Sequence, residues 1–569
     1  MPGLSRPGPS TLLSSAALLL AATHSAFAQI APLERPPLEQ PALPGFLREA
    51  PRPGFALPPP PAERPAPRSG LSVVVSRFRV TGATVFSAAE LEQALAPWTG
   101  RRLADEDLEE ARRAITARYL AAGYVNSGAI IPDQTIAEGT LEIRVIEGRL
   151  AEVVVGGANA FRPGFIRERV ELAAGPPLNV QRLQERMQVM LQNPQIERIN
   201  AELGPGAEPG EAVLKLDVTE AKQQTLGFTL ANNRSPAVGA NHGEGTLVFR
   251  NKLGFGEALG LRFGRTEGLV EWGANLAVPV SPRDTLFTLK YERTGAEVIE
   301  PPFDQIDIRS STRNAEAGLT QPLVRTLSRE VAVGAVISNR DNASFLLGQP
   351  FSFTPGLVDG RSSVSALRLV GDWSERSNDE VLAVRVTASH GLALFGSTVH
   401  PGFPDSKFDS RLAQLQWARR LGREAGQVVV RADWQHANGS LLPAEKFAVG
   451  GLQSVRGYRE NALVRDHGWA ASIEYRRPVG RFPLGAARGG PEDGLLELAV
   501  FTDAGKARDD GEAARRLSSW GVGLRWAPAP GVLAQLYKGF ARQRIDDLTP
   551  TRTLADRGVH FLVALQTLF

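Results

Sequence analysis

Apolar and polar residues alternate through most of residues 222–569. The alternation is divided into sixteen segments of about ten residues, the length that a tilted strand needs to cross a membrane. One segment has two distinct faces, with Trp469, Ala471, Ile473 and Tyr475 on one and Ala470, Ser472, Glu474 and Arg476 on the other. In a membrane barrel the apolar face contacts lipid and the polar face lines the lumen, so the pattern predicts a 16-stranded antiparallel transmembrane β-barrel.

The joints between the predicted strands alternate in length. Residues 252–254 and 281–284 form short joints, whereas residues 341–360 and 438–466 form long ones. Outer-membrane barrels have short periplasmic turns and long external loops. The last strand ends on Phe569, an aromatic residue of the kind that lies at a membrane interface. A soluble sandwich or propeller has the same alternation, but the loop asymmetry and the closing strand favour the barrel.

Before residue 222 the apolar residues recur at helical spacing between short strands. In residues 71–148, Ser87 and Glu90 form a capping box that begins a short helix after a strand over residues 73–80. A second helix follows and ends near Gly123, a residue suited to a left-handed C-cap. Two further strands complete a small α/β module.

Residues 149–221 repeat this order of strand, two helices and strand. The last strands of the two segments align, so that Glu147 corresponds to Glu220. A tandem repeat of about 70 residues predicts two copies of one module rather than one catalytic domain. Such modules expose sheet edges, which can accept an extended segment of another chain through main-chain hydrogen bonds.

The first 70 residues contain two segments that differ from a folded domain. Residues 1–28 combine a basic start, an eleven-residue apolar run and the tripeptide Ala26-Phe27-Ala28, which predicts a signal peptide cleaved before Gln29. Residues 29–70 are proline-rich and predict an extended linker. Only residues 44–50 within it are compatible with a helix, for less than two turns, so no long helix is predicted there.

The composition excludes several classes of function. Sixty-four basic and 61 acidic residues leave a net charge of +3, which disfavours a nucleic-acid partner. The chain has no cysteine, and its seven histidines show no metal-ligand spacing, so we expect isolated histidines and no metal site. No phosphate-binding loop and no nucleophile elbow is present, so we expect neither a cofactor nor an enzyme.

Two short motifs occur in the barrel region. The first is Val455, Arg456, Gly457 and Tyr458 in the longest predicted loop, and the second is Phe501, Asp503 and Gly505 in the thirteenth predicted strand. With the layout above, they resemble the two-partner secretion transporters, the haemolysin secretion/activation branch of the Omp85 superfamily. The resemblance implies that the modules are POTRA domains, the first over residues 71–148 and the second over residues 149–221, and that the first motif is the loop-6 signature.

Strand alternation gives the two motifs a possible relationship. Phe501, Asp503 and Gly505 share a face with Glu497, so Asp503 should point into the lumen. Arg456 could then descend with its loop and pair bidentately with this carboxylate. Without the resemblance, a solvated loop arginine and a carboxylate facing lumenal water would be the simpler interpretation. The resemblance favours the pairing.

The resemblance implies a pore in the outer membrane of a Gram-negative bacterium, with the POTRA domains in the periplasm. These domains would recognise an unfolded exported protein, a TpsA-type adhesin or haemolysin, and the barrel would pass it to the cell surface. Outer-membrane lipids and, during biogenesis, the barrel-assembly machinery are the other expected partners. The alternatives are an insertase of the same superfamily and a passive porin, although a porin would not require the modules.

Overall fold

A computed structural model describes residues 40–41, 43–47, 54–56, 72–400, 404–422, 425–484, 493–543 and 555–568. The predicted signal peptide and most of the predicted linker lie outside these residues. The chain forms two compact units, one containing residues 49–222 with 251–256, and the other containing the remaining residues. Among the described residues, no helix combines the length and the apolar character needed to cross a membrane.

The first α/β module has a three-stranded sheet and a separate strand pair. Its elements are β2 (Ser72–Val75), β3 (Arg77–Thr81), α1 (Ala88–Leu95), β4 (Arg101–Ala104), α2 (Asp105–Ala121), β5 (Gly128–Ile130) and β6 (Thr140–Ile146). The sheet order is β3-β6-β5, and β2 pairs with β4. The strand predicted over residues 73–80 is broken at Ser76, whose N–H donates to the Gly139 carbonyl at 2.8 Å. The predicted capping box is confirmed, since Ser87 and Glu90 each accept a hydrogen bond from the other's backbone N–H.

The second module has its own sheet and its own core. Its elements are β7 (Arg149–Gly156), α3 (Pro163–Glu171), α4 (Val180–Met190), β8 (Ile196–Pro205) and β9 (Glu211–Glu220). Residues Gly54–Ala56 of the predicted linker form β1, which pairs in parallel with Asn200–Glu202 of β8. The sheet order is therefore β1-β8-β9-β7. Buried residues of both helices, among them Ile166, Leu183 and Met187, pack against this sheet.

The aligned glutamates of the two modules make equivalent contacts. Glu147 follows β6 and accepts hydrogen bonds from the backbone N–H of Thr84 and Val85, at 2.6 and 3.0 Å. Glu220 ends β9 and accepts hydrogen bonds from the N–H groups of Ala160 and Phe161, at 2.9 and 2.8 Å. In each module, a carboxylate at the end of the sheet thus accepts hydrogen bonds from backbone N–H groups of the loop that precedes the first helix.

We expect Glu147→Gln to lower the stability of the module and to flatten its pH dependence. Burial raises the pKa of the Glu147 carboxyl, but hydrogen bonds from Thr84, Tyr119 and Val85 outweigh burial and hold the pKa below its usual 4.5. The resulting stability is present above the unfolded-state pKa and is lost as the pH falls through the lower folded-state value. Unfolding of residues 72–222 should show a loss of about 1–3 kcal/mol at pH 7.

In the same fragment, the difference between Glu147→Gln and wild type should shrink as the pH falls below 4.5, because protonation removes the stabilising charge. The exposed Glu92 on α1 provides the matched control. Glu92→Gln should change neither the stability of the module nor the pH dependence of that stability. A pH-independent difference between Glu147→Gln and wild type would contradict the role given to the charge.

The second unit contains a closed barrel whose neighbouring strands are antiparallel. Its sixteen strands of eight or more residues are β10 (Gln224–Ala231), β11 (His242–Arg250), β12 (Ala258–Arg265), β13 (Leu269–Pro279), β14 (Leu286–Glu297), β15 (Ile308–Arg325), β16 (Arg329–Leu346), β17 (Arg361–Arg376), β18 (Glu380–Leu392), β19 (Asp409–Gly422), β20 (Gly426–Ala437), β21 (His467–Arg481), β22 (Leu495–Arg508), β23 (Arg515–Ala529), β24 (Val532–Ala541) and β25 (His560–Leu568). Pairing of β10 with β25 closes the barrel. The predicted strand number and the antiparallel order are confirmed.

The faces of the barrel strands follow the predicted alternation. In β21, Trp469 and Ile473 are 38% and 52% exposed on the outer face, whereas Ser472 and Glu474 are 4% and 2% exposed on the inner face. The alternation also places seven of the eight tryptophans on the outer face, in two belts. One belt lies toward the long loops (Trp272, Trp434, Trp469 and Trp520), and the other lies toward the opposite end (Trp373, Trp417 and Trp526). Two aromatic belts mark the two interfaces of a membrane.

Part of the predicted linker lies inside the barrel. Gln40 donates to the lumenal Asp433 at 3.0 Å, and the Leu47 N–H donates to the Ser377 carbonyl at 2.8 Å. Leu43 and Phe46 pack against a buried apolar cluster of the inner wall. Residues 44–47 are not helical, and residues 48–50 lie outside the described residues. The segment therefore contacts the wall in a non-helical conformation.

Candidate functional site

The loop between β20 and β21, residues 438–466, folds against the inside of the barrel. Within it, Phe447–Val449 and Leu463–Arg465 form a short hairpin. Buried loop residues pack with residues of the wall in one apolar cluster: Phe447, Val449, Val455, Tyr458 and Leu463 from the loop, and Ala470, Ala507 and Leu517 from the strands. The loop is thus an ordered part of the barrel interior.

Arg456 and Asp503 lie together at the base of this loop. The Arg456 Nε and Nη2 atoms donate to the two carboxylate oxygens of Asp503, both at 2.8 Å, and the Arg456 backbone N–H donates to the same carboxylate at 3.0 Å. Nη2 also donates to Ser472 Oγ at 2.9 Å, and Nη1 donates to Glu474. Arg456 is 4% exposed and Asp503 is 1% exposed. The structure therefore contains the bidentate pair that the sequence suggested.

The guanidinium group also stacks on an aromatic ring. Its Cζ atom lies 3.4 Å from the centroid of Phe501 and 5.5 Å from that of Tyr537. A desolvated cation over an aromatic face gains further stabilisation, of about 2 kcal/mol. Phe501 of the strand motif thus contributes its ring face, while Asp503 contributes its charge.

The carboxylates of this cluster are each paired with a guanidinium group. Burial lowers the pKa of Arg456, but the carboxylates of Asp503 and Glu474 outweigh burial and hold that pKa above its usual value. Glu474 also accepts a hydrogen bond from Arg476 Nε at 2.6 Å. Arg456 and Arg476 therefore pair with Asp503 and Glu474, and Arg431 on the inner face of β20 is a third cation that interacts electrostatically with all four. The sequence placed Glu474 on the lumenal face but did not identify it as a partner of Arg456.

Glycines allow a close approach between the loop and the wall, and the tyrosine of the first motif adds a hydrogen bond. Gly457 has a φ of +88°, and a Cβ atom at Gly539 would lie 2.5 Å from the Gly457 nitrogen. A Cβ atom at Gly505 would lie 2.5 Å from a methyl carbon of Val449. Tyr458 Oη donates to a backbone carbonyl at Ser518 or Gln543. The loop backbone therefore approaches β24 closely and loop side chains pack directly against β22, because both strands lack side chains at these points.

Further ion pairs join the loop to other parts of the unit. Glu445 accepts hydrogen bonds from Arg340 on β16 and Arg368 on β17, at 3.2 and 2.8 Å. Arg459 donates to Glu300, in the joint between β14 and β15, at 2.8 Å. Neither anchor was predicted, because the partners are far apart in sequence and no motif marks them. The loop is consequently anchored to several strands across the lumen.

One histidine is part of a cluster of possible metal ligands, contrary to the prediction that the histidines are isolated. His242, Glu244 and Glu271 present ligand atoms within 4.8 Å of one another, so the expectation of isolated histidines was wrong for His242. The guanidinium groups of Arg234 and Arg262 lie 2.5 and 3.3 Å from Glu271 Oε1. Arginines thus already neutralise these carboxylates, and the arrangement forms an ion-pair network on the wall.

Comparison with known proteins identifies the family to which the chain belongs. Residues 210–526 match the family described as haemolysin secretion/activation protein ShlB/FhaC/HecB, and residues 73–148 match the ShlB-type POTRA domain. The chain is 30% identical over 485 residues to the outer membrane transporter CdiB of Escherichia coli O6:K15:H31 (strain 536 / UPEC), covering 83% of this chain and 78% of that protein.

Two solved structures show the same fold at low sequence identity. CdiB from Escherichia coli superimposes with a TM-score of 0.66 at 19% identity, covering 99% of this chain and 100% of that one. BamA from Haemophilus ducreyi lacking POTRA domains 1–3 superimposes with a TM-score of 0.54 at 13% identity, covering 87% and 100%. From the matched residues, the chain belongs to the ShlB/FhaC/HecB family of haemolysin secretion/activation proteins.

Proposed function

We propose that the barrel is a gated pore through which an unfolded partner protein passes to the cell surface. The observation that carries this proposal is the Arg456 cluster, in which a buried guanidinium group joins a 29-residue loop to the lumenal wall, in addition to the anchors at Glu445 and Arg459. A pore that passes a polypeptide must be closed at rest and open during transport. The loop provides the closed state, and its release from Asp503 and Glu474 provides the open one.

The cluster is suited to holding a movable loop. Both of its carboxylates are paired with a guanidinium group, so the seated loop leaves neither Asp503 nor Glu474 buried without a counter-charge. When Arg456 leaves, Asp503 and Glu474 are exposed to the water of an opened lumen, which hydrates them. Release therefore has a cost that an entering polypeptide can offset by its own contacts with the wall.

The two α/β modules are the proposed receptor for the partner, with residues 149–221 as a second POTRA domain. An extended segment can add to an unpaired sheet edge. In the second module β1 already occupies the edge of β8, so β7 is the remaining edge strand of that sheet. In the first module β3 and β5 are the edge strands. Ordering an unfolded segment costs free energy, so we expect modest affinity.

The orientation follows from the function. The chain enters the barrel at Gln224, and we place this end and the modules in the periplasm of a Gram-negative bacterium, with the long loops outside. The secreted partner would be a TpsA-type adhesin or haemolysin. The barrel-assembly machinery would insert the barrel among outer-membrane lipids after removal of residues 1–28. Transport rather than catalysis is the proposed activity, which needs no cofactor.

A passive porin and an insertase are the competing functions. A porin requires an open lumen, whereas here residues 438–466, together with Gln40, Leu43 and Phe46, contact the inner wall. An insertase shares the fold with this chain, and the fold alone does not separate the two. Matching of the secretion/activation family over residues 210–526 favours export.

Export can be tested in cells that lack the gene for this chain. A large exported protein encoded beside it would be expressed with and without the transporter, and the fraction at the surface or in the medium would be measured. We expect surface delivery only with the transporter, and retention in the periplasm when residues 72–221 are deleted. Normal delivery without the transporter, together with failure of other barrels to assemble, would favour the insertase.

A further inference from the structure

A basic and aromatic patch occupies the outer face of the barrel where β20, β21 and β22 meet the long loops. In one row across the strands, Trp434 pairs with Trp469, and Trp469 pairs with Lys506. In the next row toward the loops, His467 pairs with Arg508. His436 adjoins this row, with its ring centroid 4.9 Å from that of His467. Strand alternation directs all these side chains away from the lumen.

These residues surround a pocket of about 220 Å³. The ring of His436 is stacked with that of Trp434, at 6.1 Å between centroids and 12° between planes. The indoles of Trp434 and Trp469 form the side toward the membrane, and Lys506 and Arg508 contribute cationic groups. The pocket thus has apolar walls on the lipid side and positive charge on the water side.

His467 directs a donor without an acceptor into this region. The side chain is only 7% exposed, and its Nδ1 accepts a hydrogen bond from the Ala437 N–H at 3.3 Å. The proton of the neutral ring is therefore assigned to Nε2. Among the described residues, Nε2 has no hydrogen-bond partner, and Asp510 Oδ1 lies 3.9 Å away. A buried donor without an acceptor is costly, which favours binding of a ligand that supplies one.

The charge of the patch is largely uncompensated. Within the described part of the chain, Lys506 and Arg508 form no ion pair, and Arg516 lies opposite Lys506 in the register. Two acidic residues follow Arg508: Asp509 is engaged elsewhere, since it contacts Lys446 at 2.6 Å and Arg465 at 3.2 Å, and Asp510 beside His467 offsets only one of the three positive charges. The patch therefore attracts an anion.

We propose that this patch binds the phosphate group of a phosphorylated glycolipid of the outer leaflet. Lys and Arg bind phosphate through charge-assisted hydrogen bonds, and His467 Nε2 would donate one more. Trp434 and Trp469 lie in the belt where headgroups meet acyl chains, so they would pack against the lipid beneath its phosphate. A free phosphate ion would make no apolar contact with these indoles. The assignment rests on the proposed orientation, which places the long loops at the outer leaflet.

The purified full-length protein in detergent would be titrated with bisphosphorylated lipid A and with lipid A stripped of phosphate, and binding would be followed by native mass spectrometry. We expect saturable binding of the phosphorylated form alone. Lys506→Ala combined with Arg508→Ala should weaken binding more than tenfold. If this variant fails to fold, as judged by lost heat-modifiability, Lys506→Gln combined with Arg508→Gln replaces it.

Arg477 provides the matched control, because it is an exposed cation on the outer face of β21 at its opposite end. Arg477→Ala should bind lipid A as the wild type does. Equal binding by the wild type and the double variant would overturn the proposal, as would inorganic phosphate that displaces lipid A at equal concentration. Loss of binding in Arg477→Ala alone would overturn the orientation as well. The lipid titration measures binding and not export. A negative result would therefore overturn the lipid site without bearing on the gated pore, which the export experiment tests.

Discussion

Arg456→Ala is expected to reduce export of the partner at least tenfold, while the barrel still folds and inserts. The substitution removes every side-chain contact of Arg456 with Asp503, Glu474 and Ser472. Breaking a buried ion pair from one side costs about 3–5 kcal/mol, because a charge remains without its partner. Since about 1.4 kcal/mol changes an equilibrium constant tenfold, the loop should lose its seated position in most molecules. The outer face of the strands is unchanged, so assembly in the membrane should continue.

Three measurements separate this outcome from misfolding. Abundance and heat-modifiability report the barrel, the secreted fraction reports export, and single-channel recording reports the loop, which should produce larger and noisier currents when it is free. Asp503→Asn should have a smaller effect than Arg456→Ala, because Glu474 still binds the guanidinium group.

Arg525→Ala is the matched control, because it breaks a lumenal ion pair with Glu497, of 2.9 Å, that does not involve the loop. We expect nearly normal export from this control. Wild-type export by Arg456→Ala would contradict the gating role of the loop, although the barrel and the family assignment would stand.

The barrel could be predicted because one physical constraint acts on each of its residues. Every strand separates lipid from lumen, so a period of two persists over segments such as β21 and β22, and the strand ends follow from the joints. The pairing of Arg456 with Asp503 could be suggested for a related reason. Alternation places Asp503 on the inner face, and a short motif identifies the loop residue that reaches it.

Other features left no local signal in the sequence. Strands β4 and β8 were not predicted: β4 has only four residues, and β8 contains polar residues that weaken its alternation. The Glu445 anchor depends on Arg340 and Arg368, which are distant in sequence and become neighbours only when the barrel closes. Pairing of β1 with β8 uses backbone groups, which every residue carries.

The two modules show how an incomplete secondary-structure prediction can still detect a repeat. The alignment of Glu147 with Glu220 came from the two last strands alone. In the structure both carboxylates accept N–H groups from the loop before the first helix. A side chain that accepts hydrogen bonds from fixed backbone N–H groups is restricted in type and position, so it remains recognisable although the other elements of the two modules differ.

A second substitution should release the loop without changing any charge. Gly539→Ala places a Cβ atom on the inner face of β24, where it would lie 2.5 Å from the Gly457 nitrogen and 2.7 Å from the Arg456 carbonyl carbon. Both neighbours are backbone atoms, so no rotamer change relieves the contact. Overpacking of this kind costs about 1–3 kcal/mol, and displacement of the loop is the available relief. We expect reduced export and increased conductance, as for Arg456→Ala.

Gly371→Ala is the matched control, since a Cβ atom on this barrel strand meets no atom within 4 Å. It should export normally and show the same heat-modifiability as Gly539→Ala. The combination of Gly539→Ala with Arg456→Ala should export little less than Arg456→Ala alone, because both changes disrupt the same seated loop and their effects are therefore not additive. Additive losses would mean that Gly539 acts at a step separate from loop release, and normal export by Gly539→Ala would mean that the close backbone contact is not needed to seat the loop.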